Sequence, residues 1–113
     1  MKIVNRQEFL ELPSGTLYAT YTPVFFGELS IKTRSLDNDF CYKSLLDSEL
    51  CGSELFNVLL NTQPLLKVEL NFDTCTSTSR DGLFDNDQLF AVLDKEEHRE
   101  LINLLEYHYK QLT

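Results

Sequence analysis

Alternation at period two constrains this chain more than any other feature. Leu66, Val68, Leu70 and Phe72 alternate with Lys67, Glu69, Asn71 and Asp73, the cleanest strand pattern in the sequence. Leu17, Ala19 and Tyr21 alternate with Tyr18, Thr20 and Thr22. Leu29 and Ile31 alternate with Glu28, Ser30, Lys32 and Arg34. Phe40 and Tyr42 begin a further segment. Leu89, Ala91 and Leu93 interleave with Phe90 and Val92, so this last strand is apolar on both sides and is expected to be central or covered twice. Short turn signals separate the segments: Pro13-Ser14-Gly15, Pro23 to Gly27 around Val24, Phe25 and Phe26, and Asp37-Asn38-Asp39. Arg80-Asp81-Gly82 is a hairpin signal, made looser by the polar run from Thr74 to Ser79.

Three helices punctuate these strands. Asn5 with Glu8 makes a cap-plus-three pair, and Val4 and Phe9 stand at the staple positions. This first helix ends at Pro13. Ser53 caps a second helix running to about Asn61, with Leu55, Phe56, Leu59 and Leu60 on its apolar face, and Pro64 stops it. Asp94 with Glu97 opens a terminal helix whose stripe is Leu101, Leu104, Leu105, His108 and Leu112. On that stripe His108 is expected to be partly buried. The order α-β-β-β-α-β-β-α with short connections predicts an α+β fold. It consists of an antiparallel sheet of about five strands with helices packed on it.

The 113 residues suit one domain, 1–113, without a boundary or a low-complexity tract. Hydrophobic residues make up 42%, enough for a core without metal or disulfide. Cys41, Cys51 and Cys75 are odd in number and lack CxxC spacing, as for free thiols in a reducing cytoplasm. The opening residues do not read as a signal peptide, and no apolar run is long enough to span a bilayer. The expected location is therefore cytoplasmic.

Charge is uneven along the chain. Residues 1–36 carry three acids against four bases, a balance of +1, and residues 37–113 carry fifteen acids against six bases, a balance of −9, giving the net −8. Phosphate recognition needs clustered Lys and Arg, so direct nucleic-acid binding is not expected, and anionic membranes would repel the chain. A basic protein surface would attract it. Solubility alone is the plain alternative. Asp81, Asp85 and Asp87 lie around one predicted hairpin. Glu96, Glu97 and Glu100 crowd the start of the last helix, where acids also complement the helix dipole. These six are the candidate partner-binding residues.

Catalytic and cofactor signals are not found. The chain has no G-x-S-x-G, G-x-G-x-x-G or P-loop. The Asp-Asn-Asp pairs at 37–39 and 85–87 offer oxygens for a hard cation but lack EF-hand spacing, and such residues in turns commonly bond their own backbone. His98 and His108 are ten residues apart and do not form a helical metal pair. Arg34, Lys32 and Arg80, with Lys43 and the stacking rings of Tyr18, Tyr21, Tyr42 and Phe25, offer a second possibility: a pocket sequestering a signalling nucleotide.

Arg6 to Tyr18, followed by Phe26 to Lys32 and Asn38-Asp39-Phe40, resembles small accessory proteins encoded by bacteriophages and prophages. The resemblance implies a bacterial host cell and no catalytic residue. At the level of that class it implies action against host defence, including anti-CRISPR inhibition. The resulting expectation is a non-enzymatic acidic binding protein, monomeric or homodimeric. It would inhibit a host defence or nucleic-acid-processing complex by electrostatic and steric occlusion of a basic surface.

Overall fold

In the computed structural model, residues 1–47, 57, 59–61, 67–73 and 79–112 are described. The elements are β1 (Lys2–Val4), α1 (Arg6–Leu10), β2 (Leu17–Thr22), β3 (Phe25–Leu36), β4 (Asp39–Ser44), β5 (Ser79–Arg80), β6 (Leu89–Val92) and α2 (Lys95–Gln111). The strands form one antiparallel six-stranded sheet in the order β1-β6-β2-β3-β4-β5. The fold is α+β as expected, with one strand more. Two strands were not expected, β1 and β5, each too short to show an alternation of its own, and one expected strand does not form. β6 lies between β1 and β2, the central position that its apolar pattern implied.

The sheet curls around α1. Asn5 caps this helix, its side chain accepting from Glu8 N at 2.8 Å, and Val4 and Phe9 both enter the core. Phe9 has no exposed surface. It stacks on Phe90 at 4.0 Å and meets Tyr18 and Phe40 edge-on at 4.7 and 4.9 Å. Phe40 and Phe90 stand on strands separated by β2 and β3, yet their ring centroids are 5.7 Å apart. A flat sheet would hold those backbones about 14 Å apart at the usual strand spacing. Register breaks between Ala19 and Tyr21 and between Lys32 and Arg34 supply the bend.

The core face differs from the one the alternation implied. In β3 it is Ser30 and Lys32 that are buried, while Leu29 and Ile31 are half-buried on the other face. Lys32 is recruited inward because α1 ends above it with unpaired carbonyls. Its ammonium donates to Leu10 O at 3.1 Å and to Leu12 O, and lies 5.5 Å from the Phe9 ring centre. Burial pushes the Lys32 amine below the usual lysine range.

Three other expectations are corrected. Lys67–Asp73 does not form a strand. Leu70 makes a lone bridge, Phe72 is exposed, and the place beside β4 is taken by β5. Alternation marks a surface that can be half buried, but it does not supply a free sheet edge. Asp81-Gly82 consequently closes no hairpin, because β5 pairs with β4 while β6 pairs with β1 and β2. The second helix falls mostly outside the described residues, although Asn57, Leu59 and Leu60 are helical.

The third correction concerns α2. Its capping box forms as expected, with Glu97 N donating to Asp94 Oδ1 at 2.8 Å and Asp94 N to Glu97 Oε1 at 3.1 Å. No residue of the helix is buried, however, and Leu104, Leu105 and Leu112 are all more than half exposed. His108 is exposed and edge-on to Tyr107. The core site is already filled by α1, which leaves the stripe of α2 largely uncovered. Because α2 depends on its own ends, Asp94→Ala should cost about 1 kcal/mol locally. Far-UV circular dichroism is expected to show early loss of helix on warming, with the unfolding midpoint of the sheet little changed.

Candidate functional site

The strongest electrostatic feature lies inside the molecule. Asp39, at the start of β4, has no exposed surface. Its carboxylate accepts from Arg80 Nε and from Gly82 N at 3.1 and 3.2 Å, with Arg6 Nη2 at 3.5 Å. Gly82 makes that approach at φ +67, a conformation that favours glycine. Arg6 also donates to Asn38 O at 2.7 Å and to Asp81 Oδ2 at 3.2 Å, and it lies over the Phe40 ring. Burial alone would raise the Asp39 pKa. The Arg80 hydrogen bond, the N–H groups of Phe40 and Gly82, and the Arg80 charge outweigh it and hold the carboxyl below the ordinary range. This cluster ties α1, β4 and β5 together.

The six candidate acids do not form one band. Asp81 is half-buried and committed to Arg6, and its carboxylate also accepts from Leu83 N at 3.3 Å. Glu97 closes the capping box and pairs with the Met1 ammonium, which together hold its carboxyl below the usual range. Asp85, Asp87, Glu96 and Glu100 remain exposed. They fall into two groups at opposite ends of β6. Asp85 and Asp87 precede Leu89, whereas Glu96 and Glu100 follow Val92. At about 3.3 Å per residue, the two groups stand roughly 20 Å apart.

Three of the four bases considered for a nucleotide pocket have other occupations, while Arg34 is exposed. Lys32 is buried under α1, Arg80 holds Asp39, and Lys43 donates to Asp47 and to Asn71 O at 3.1 and 3.0 Å. Tyr18 is buried in the aromatic core, where burial raises its pKa, with Tyr42, Asp81 and Glu28 adding to the effect. The Asp-Asn-Asp segments serve the backbone. Asp39 takes Gly82 N, and Asp85 Oδ1 accepts from Asp87 N at 2.9 Å. Among the described residues no group of three His, Cys, Asp or Glu side chains is placed to hold a metal ion. Cys41 is buried and free, while Cys51 and Cys75 lie outside the described residues. A cleft of about 580 Å³ separates Leu105 of α2 from Ile31, Thr33, Leu45 and Phe72.

Sequence reasoning read the β2–β3 tip as a connection, with Phe25 a stacking ring, and did not single it out as an exposed apolar surface. Val24, Phe25 and Phe26 are 76%, 73% and 55% exposed. The signal was present, since an apolar run between Pro23 and Gly27 is foreign to a solvated turn.

No family model matches the chain, and no curated protein or solved structure is similar to it. Among the described residues, no helix is long and apolar enough to cross a membrane.

Proposed function

We propose that this chain is a non-enzymatic binding domain that occludes a basic, nucleic-acid-binding surface on a protein of a bacterial host. Defence and nucleic-acid-processing complexes are the target class, in line with the phage-protein resemblance of residues 6–40. One observation carries the reading: the fold turns bases inward and leaves acids outside. Among the described residues two bases, Arg6 and Lys32, are buried but only one acid, Asp39, so burial withdraws more positive than negative charge from that surface. A surface of that kind draws Lys- and Arg-rich partners, speeds encounter, and competes for sites that otherwise hold phosphate.

Charge reversal in two separate pairs tests this. Asp85→Lys with Asp87→Lys, and Glu96→Lys with Glu100→Lys, alter exposed side chains; loss of the Asp85 turn bond and of acids at the α2 N-terminus should lower stability by about 1 kcal/mol, with circular dichroism at the assay temperature unchanged. At least one pair should weaken capture of a host protein about tenfold or more at low salt. Parent-like binding by both pairs would end the acidic-surface reading.

A further inference from the structure

We infer that the β2–β3 tip, Val24-Phe25-Phe26 with Glu28, Asp85 and Asp87 around it, seats in an apolar cleft rimmed by lysines and arginines on a protein partner. This inference rests on the binding function proposed above and locates its contact surface.

Backbone register assembles the surface. Tyr21 pairs with Leu89, and Gln88 Nε2 donates to Tyr21 O at 3.1 Å, which fixes the segment before β6 alongside the end of β2. Continuing that register sets Asp87 at the level of Pro23. The turn holding Asp85 is closed by Asp87 N on its carboxylate and by Gln88 N on its carbonyl at 3.3 Å. Glu28 follows two residues after Phe26 and is steadied by Ser44 Oγ at 2.7 Å. Gly27 lets β3 pass closely beside Thr20, whose Oγ1 would lie 2.1 Å from an added Cβ. β4 pairs with β3 only as far as Ser30, so among the described residues no strand pairs with the outer edge of Phe25–Glu28. The tip therefore projects beyond the sheet.

Charge complementarity selects the occupant. Two exposed phenylalanines and a valine gain by leaving water. The carboxylates beside them favour a rim of opposite sign and disfavour anionic lipid. A second copy is disfavoured as the occupant, because it carries the same net −8 and repels a tip flanked by carboxylates.

The test is photocrosslinking in a bacterial host lysate. A benzophenone-bearing residue is placed at position 25, at position 87, or, as control, at position 100. The expected result is one protein linked from positions 25 and 87 but not from 100, at a peptide where apolar residues are flanked by Lys or Arg. Phe25→Ser with Phe26→Ser should lower its capture roughly thirtyfold, the effect of losing a buried aromatic anchor, with unchanged circular dichroism. Three results would overturn the proposal. They are capture by the parent with crosslinks only from position 100, parent-like capture by the double serine variant, and co-sedimentation of the tip with phosphatidylglycerol vesicles that is lost in that variant. In the first two cases acidic-surface binding survives and only its location fails. If the parent captures no host protein at low salt, the binding function fails and the proposal falls with it.

Discussion

Asp39→Ala is expected to destabilise the domain by about 3–5 kcal/mol, the cost of removing one partner from a buried ion cluster. Arg6 is buried and would lose a carboxylate, while Arg80 and Gly82 N would lose their acceptor. Single domains have about 5–15 kcal/mol in total, so the variant should lie near the edge of folding. In urea its midpoint should fall by roughly 2 M at an ordinary denaturant slope. The same cluster sets an acid limit. Asp39 has a folded pKa below its ordinary 3.8, so the unfolded chain binds the proton more readily. The stability this group provides is complete above 3.8 and is lost as pH falls towards the folded value. Asp39→Asn should be less stable at neutral pH and should lose that part of the acid dependence. A parent-like stability profile below pH 3.8 in Asp39→Asn would show that the cluster is not the source of the effect.

Phe9→Ala should cost a similar amount, about 3–5 kcal/mol, through lost burial and the cavity left behind. Its ring touches Phe90, Tyr18 and Phe40, so one truncation removes three aromatic contacts around which the sheet is bent. Phe9→Leu keeps much of the volume and should lose less than about 1.5 kcal/mol. Urea unfolding followed by circular dichroism separates the two. Equal midpoints for both variants would mean that the ring does not organise the core.

Much of the scaffold was legible because it rests on local chemistry. Asn5 and Asp94 cap the helices they were expected to cap, and β2, β4 and β6 lie where their alternation placed them. What could not be read depends on long-range competition. Lys32 looked like a solvated strand residue, yet helix-end carbonyls twenty or more residues back draw it inside. Lys67–Asp73 has the cleaner alternation, yet Ser79–Arg80 takes the place beside β4, where Arg80 reaches Asp39. The acids tell the same story. In sequence Asp81 looks like Asp87, and although the cap-plus-three spacing marks Glu97, only the fold reveals the Arg6 partner of Asp81 and the Met1 ammonium beside Glu97.

The binding function is tested most directly by passing a bacterial host lysate over the immobilised domain at low salt. The column is then eluted with high salt, and the eluate is analysed by mass spectrometry. One near-stoichiometric host protein with a basic nucleic-acid-binding surface, retained at low salt and released at high salt, is the predicted result. No retained protein, a partner indifferent to salt, or a nucleotide co-purifying in its place would contradict the account.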